Sequence, residues 1–319
     1  MTRLSASLTA TRIPGIGVFK LPLTRNDLML ILVGFNLIAV GFETYLAHMI
    51  SGHIKPAEAI PVVLGPLAGL IVFAALYLRL IRKAMTTSTL IIIGAASLSI
   101  VVGILGTAFH SDRALAPSYL PGSSVRWDWL IYAPPIAAPL AFCGIGLMAI
   151  VAALEDTKPE SGQLTLPGIL TFRTPMTQTT QLLWLVTGGL YGSTLSAFLD
   201  HGRTQFENIF VWIPVFLGLF GAIVTTLLAV YKERSNADFF VFFWVMMLMV
   251  LVGVFGMGLH INADLPEGGA KGGLVTERFI SGAPVLAPML FANMGLLGII
   301  TMVGAETSDP KGENSASEA

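Results

Sequence analysis

Val102-Gly103-Ile104-Leu105-Gly106-Thr107-Ala108-Phe109-His110 ends one long apolar run, and Val252-Gly253-Val254-Phe255-Gly256-Met257-Gly258-Leu259-His260 ends another. Each copy carries glycines seven and four residues before its histidine. A second histidine pair obeys the same doubling: His48 lies thirteen residues before Pro61, and His201 thirteen before Pro214. Further matches extend the repeat in both directions. Pro14-Gly15-Ile16, Phe19-Lys20, Pro22 and Thr24 return as Pro167-Gly168-Ile169, Phe172-Arg173, Pro175 and Thr177. Pro135, Pro139, Phe142 and Gly146 return as Pro284, Pro288, Phe291 and Gly295. The separation is 153 residues from His48 to His201, 150 from His110 to His260 and 149 from Pro135 to Pro284, a drift that small loop deletions produce. Self-similarity of this kind is read before any local propensity.

The surrounding composition decides the class. Of 319 residues 54% are hydrophobic and 12% charged, and the mean hydropathy is +0.77, outside the range of soluble domains. Apolar runs near 28–48, 60–80, 87–110, 130–154, 181–200, 210–231, 237–260 and 282–304 are each long enough to cross a bilayer as a helix. Lipid offers backbone groups no partner, which favours helices, and barrel strands would be shorter and alternating. The expected fold is therefore an all-α integral membrane protein, with eight transmembrane helices forming two tandem parallel four-helix repeats. An even number of spans per repeat points both copies the same way, whereas inverted repeats need an odd number. The expected divisions are a polar N-terminal arm over 1–13, repeats over 14–157 and 158–306, and a disordered polar tail over 307–319. The Pro-Gly-Ile segments read as short linkers at the membrane interface, and Pro61 reads as the first residue of the second span.

Charge orients the bundle. Eight spans put both termini on one side, with Arg3, Arg12, Lys20, Arg25, Arg79, Arg82, Lys83, Lys158, Arg173, Lys232, Arg234 and Lys311. The other side holds Lys55, Arg113, Arg126, Arg203, Lys271 and Arg278. The positive-inside rule then expects an inner (plasma) membrane protein with both termini cytoplasmic and all five histidines toward the outer face. The first 27 residues do not read as a cleavable signal, because the first apolar run starts late and is long enough to span. The lone Cys143 says nothing about redox compartment, and no phosphate loop, nucleophile elbow or nucleic-acid surface is present. Trp127 and Trp129 read as interfacial anchors. The loops 111–129 and 261–281, the second carrying Gly268, Gly269, Gly272 and Gly273, read as covers for an outer site.

Four histidines at one depth, two per repeat, are the candidate site. One helical turn and two turns before each lie small residues: Thr44 and Gly41, Gly106 and Gly103, Ala197 and Thr194, Gly256 and Gly253. A flat macrocycle ligated by imidazole needs such a cleared face, so His48 with His110 and His201 with His260 suit bis-histidine haem b, with Gly103, Gly106, Gly253 and Gly256 as walls. Arg113 and Arg203 would meet its propionates. The same imidazoles suit copper or iron, with Asp200 as a ligand or orienting partner and Asp112, Glu207, Asp264 and Glu58 as further carboxylates. The expected function is membrane electron transfer, extending to quinol oxidation within a larger membrane complex, with lipid and quinone as partners and no nucleic acid. Glu43, an acid inside the first span opposite Ser196 of the other copy, is the candidate proton acceptor. Two rivals stand beside this. The histidines can simply finish their helices, with small residues serving close packing in a structural or assembly subunit. Alternatively, the cleft between repeats can serve a transporter or channel. His53 aligns with Phe206 and reads as a solvated loop residue, and the Met and Phe runs at 239–249 read as packing or lipid-facing residues.

Overall fold

A computed structural model describes residues 9–50, 52–114, 129–132, 135–158, 160–265, 280 and 282–308. The expectations for residues 1–8, Trp127, the glycines at 268–273 and the tail from 309 lie outside the described residues. The chain is a mostly helical multi-pass membrane protein. Among the described residues six helices are long and apolar enough to cross a membrane: α1 (Arg25–Met49), α2 (Pro56–Leu80), α3 (Met85–Ala114), α6 (Gln178–Gly202), α7 (Trp212–Val230, entered by a 3₁₀ turn at Ile209–Val211) and α8 (Asn236–Asp264). Two further apolar helices are shorter, α5 (Leu140–Ala153) and α9 (Met289–Thr301), and a single turn, α4 (Trp129–Tyr132), precedes α5.

Outward faces carry Leu67, Leu70, Val101, Ile104, Leu251 and Phe255, all at least half exposed, which only lipid can cover without penalty. Inward faces are apolar and small. Gly34 and Gly41 on α1 meet Gly65 and Gly69 on α2 so closely that a Cβ on Gly65 would stand 2.7 Å from the Gly41 Cα. Such glycine contacts let helix backbones approach where lipid supplies no hydrophobic drive. α1 packs on α2 and α5, and α3 packs on the same two, so α1 and α3 stand on a diagonal. In the second half α6 packs on α7 and α9, and α8 packs on those two, leaving α6 and α8 diagonal. The halves meet through α5 against α6 and α1 against α9.

Several expected boundaries move. α2 begins at Pro56, where the missing N–H costs nothing, and Glu58 accepts the Lys55 N–H at 2.9 Å; Pro61 lies inside the helix. α3 and α8 run one turn past His110 and His260. The expected spans 130–154 and 282–304 shrink most, because Pro135, Pro139, Pro284 and Pro288 break the α ladder. Tight turns at 136–139 and 285–288, closed by bonds such as Ala138 N–H to Pro135 O (3.3 Å) and Ala287 N–H to Pro284 O (3.2 Å), precede the helices proper.

Residues 9–13 of the polar lead and the Pro-Gly segments form strands. β1 (Thr9–Ile13) pairs antiparallel with β2 (Gly17–Leu21), and β3 (Glu155–Lys158), β4 (Gln163–Leu166) and β5 (Leu170–Arg173) make a three-stranded sheet. The β1–β2 and β4–β5 hairpins each turn on Pro-Gly with glycine at positive φ (Gly15 +75°, Gly168 +72°), the signature of a type II turn. The turns reach across the molecule. Gly15 lies against the first turn of α8, with its N–H donating to Asn236 Oδ1 at 3.3 Å, and Gly168 lies against Thr86 at the start of α3. After α9 the chain closes onto the first hairpin, Gly304 N–H donating to Arg12 O at 2.9 Å, as Glu155 pairs with Thr165.

At this same end Arg79 Nε faces Asp27 Oδ1 at 3.2 Å, both nearly buried, while Arg79 also donates to Ala153 O at the end of α5. The corresponding place in the second half holds Arg234, donating to Thr180 Oγ1 at 2.7 Å and to Leu228 O at 2.7 Å. Burial lowers the Arg234 pKa from its ordinary value, partly offset by the charge of Glu160. Because Asp27 and Arg79 are paired in a place that water barely reaches, removing one strands the other. Asp27→Ala is expected to cost about 3–5 kcal/mol, and Asp27→Leu combined with Arg79→Met distinctly less, measured by unfolding in mixed micelles. Equal losses from the single and double variants would contradict the pairing.

Candidate functional site

The end of the bundle remote from the strands carries all four matched histidines. His48 closes α1 and His201 closes α6, each in the last turn. His110 and His260 sit one turn inside the ends of α3 and α8. The diagonal helices bring them together in pairs. The His48 and His110 rings have centroids 6.2 Å apart with planes at 79°, and His201 and His260 stand 6.3 Å apart at 86°. All four side chains are half-buried.

Proline fixes two of these rings. Pro135 and Pro284 lie in the turns that delay α5 and α9, and each leaves a carbonyl turned toward the neighbouring long helix. His110 Nδ1 bonds Pro135 O at 2.8 Å and His260 Nδ1 bonds Pro284 O at 2.8 Å. A carbonyl only accepts, so both rings carry the proton on Nδ1 and present Nε2 as the basic nitrogen. His48 Nδ1 donates to Thr44 O at 3.0 Å, one turn back on its own helix. This is the arrangement of metal-ligating histidines, whose second nitrogen is held by a carbonyl or carboxylate.

Spacing restricts the chemistry. Two imidazoles binding one ion from opposite sides, with metal–nitrogen distances of about 2.0–2.1 Å, place ring centroids roughly 6.3 Å apart; a tetrahedral angle would bring them to roughly 5 Å. The observed separations, 6.2 and 6.3 Å, are of the size that two imidazoles sharing one bound group would have. Among the described residues no group of three or more His, Cys, Asp or Glu side chains converges to hold a metal ion. Each pair thus brings two imidazoles together, and any further ligands would have to come from the bound group itself.

The glycines do something other than expected. A Cβ on Gly103 would strike Cys143 Sγ at 2.6 Å and Pro139 O at 2.9 Å, and one on Gly253 would strike Ala292 N at 2.5 Å and Pro288 O at 2.8 Å. A Cβ on Gly106 would stand 2.8 Å from the Pro139 Cβ, and one on Gly256 2.8 Å from the Pro288 Cβ. These four residues wall no slot: they let α5 and α9 press against α3 and α8, which brings the Pro135 and Pro284 carbonyls within reach of the histidines. Periodicity shows that a face is bare but not what fills it.

The carboxylates scatter. Asp200 accepts from Ser196 Oγ at 3.4 Å and faces Arg203 Nε at 3.8 Å, acting on His201 and His260 through its charge. Glu43 is half-buried on α1, and its charged neighbour is Asp200 of the other half rather than His48. Glu58 caps α2, Asp112 and Glu207 are exposed, and Asp264 is buried, accepting the Ala283 N–H at 2.9 Å. Arg203, expected beside a propionate, donates to Ile131 O at 2.9 Å and so ties α4 of the first half to the end of α6. Arg113 and His53 are exposed. Composition alone contained no signal for the two proline carbonyls, which act through backbone atoms.

Comparison of the chain with family models, with curated proteins and with solved structures finds no match.

If Gly256 serves the α8–α9 contact, Gly256→Val destabilises the protein by about 1–3 kcal/mol through overpacking, whereas Gly258→Ala, with nothing within 4 Å, changes little. Thermal midpoints in detergent test this, and equal tolerance at both positions would contradict the packing role.

Proposed function

We propose that this protein is a membrane electron-transfer protein holding one bis-imidazole cofactor in each half, His48 with His110 and His201 with His260, near the outer face. The observation that carries the reading is the two neighbouring ring pairs at 6.2 and 6.3 Å, with Nδ1 of three of the four imidazoles bonded to backbone carbonyls. With two imidazoles per pair, haem b would be favoured over copper or iron ions bound directly, because the porphyrin would supply the remaining nitrogens. The chain's part is to hold the imidazoles, exclude water and set the local charge, in which Asp200 beside the second pair makes the two sites unequal.

The architecture in this reading is two tandem four-helix repeats with eight spans, α5 and α9 each completing a span together with the proline turn before it. A pseudo-two-fold axis along the membrane normal is supported by Arg25 and Gln178. These are matched positions of the two copies and hydrogen-bond each other, Nη2 to Oε1 at 2.6 Å. The exchange of hairpins, Gly15 onto α8 and Gly168 onto α3, supports the same axis. The termini lie on the cytoplasmic side of the plasma membrane, as the excess of Lys and Arg there requires. A quinol at the lipid boundary is the donor best suited to an intramembrane one-electron carrier, Glu43 is the acid placed to accept its proton, and a larger membrane complex would supply the acceptor.

The test is a reduced-minus-oxidised optical spectrum, with haem and metal content per chain, of protein purified from its native membrane in mild detergent. Two bis-histidine haems per chain are expected, His110→Ala and His260→Ala each removing one. Protein free of haem and metal under conditions that retain labile cofactors would overturn the assignment.

A further inference from the structure

We infer that Asp264 is a positioning residue for His260, holding the turn whose Pro284 carbonyl fixes that imidazole; the inference rests on the proposed ligand role of His260. Asp264 lies four residues beyond His260 on α8 and so on the same face one turn further along. Its side chain is buried, with only 5% of the residue exposed. Oδ1 accepts the Ala283 N–H at 2.9 Å, and the next residue, Pro284, accepts the His260 Nδ1–H at 2.8 Å. Carboxylate and imidazole thus grip two consecutive residues of one segment. Among the described residues the Asp264 Oδ2 atom has no hydrogen-bond partner, so this acid is kept in a buried place at a cost that one backbone bond offsets.

The other copy of the motif supplies an independent argument. Where the second half has Asp264 and Ala283, the first has Ala114 and Pro134. Proline has no N–H to donate, and alanine has no oxygen to accept. Donor and acceptor are both present or both missing. The residues at the matched positions of the first half thus cannot form this bond, whereas the His260 turn is held by the carboxylate. A residue serving only to cap α8 would have no reason to vary with position 283, in the segment before a different helix.

The test uses the full chain with ¹⁵N-labelled histidine in proteoliposomes, reading imidazole tautomers by ¹⁵N resonance, together with redox titration of the protein as purified. Wild type is expected to show His260 wholly as the Nδ1–H tautomer. Asp264→Ala should convert His260 to a tautomer mixture while leaving His110 unchanged, and should move the midpoint potential of one of two titrating components. Asp264→Asn, whose side-chain oxygen can still accept the Ala283 N–H, should restore the wild-type His260 tautomer. An unchanged His260 in Asp264→Ala, an equal change at His110, or failure of Asp264→Asn to restore the tautomer would overturn the inference. The tautomer reading decides on Asp264 whether or not a cofactor is bound, so a wild-type protein without cofactor counts against the proposed function alone.

Discussion

The carbonyl oxygens of Pro135 and Pro284 are the atoms on which the histidine end depends. Each belongs to a turn in which it accepts the N–H three residues on, Ala138 at 3.3 Å and Ala287 at 3.2 Å, and its second lone pair takes a side-chain donor from a neighbouring long helix. His110 and His260 supply those donors at 2.8 Å. The bond sets the tautomer, and the tautomer decides that Nε2 is the nitrogen offered to anything between the rings.

Reaching that bond requires close helices. Gly103 and Gly106 let the start of α5 lie on α3, and Gly253 and Gly256 do the same for α9 on α8. At the other end the hairpin turns at Gly15 and Gly168 sit on the first turns of α8 and α3, the helices that carry the two proline-bound histidines. Each long histidine helix is thus held at both ends, by a proline turn at one and a glycine turn at the other. Two rigidly held helices facing α1 and α6 across a diagonal place two imidazoles within about 0.1 Å of the same separation in both halves, 6.2 and 6.3 Å.

Much of this was legible in the sequence, and the reasons for the remainder are physical. Apolar length and the matched histidines gave the helical membrane class and the residues that meet, because span length and repeat spacing are one-dimensional quantities. The Pro-Gly pairs were visible as turns, but not as hairpins bridging the halves, since strand pairing over Thr9–Ile13 depends on partners that no periodicity reveals. Glycines at the intervals a flat cofactor needs are also those a close helix needs, and only the position of Pro139 and Pro288 separates the two. Asp264 passed for one of several loop carboxylates because its partner is a backbone N–H nineteen residues away.

The central claim is that each pair of imidazoles shares one bound group. An experimental density map of the protein, taken from its native membrane in mild detergent, tests it most directly. The account predicts continuous density joining His48 to His110 and His201 to His260 through a planar group or a metal. Rings at the same separation with only water or lipid between them in both halves would contradict it.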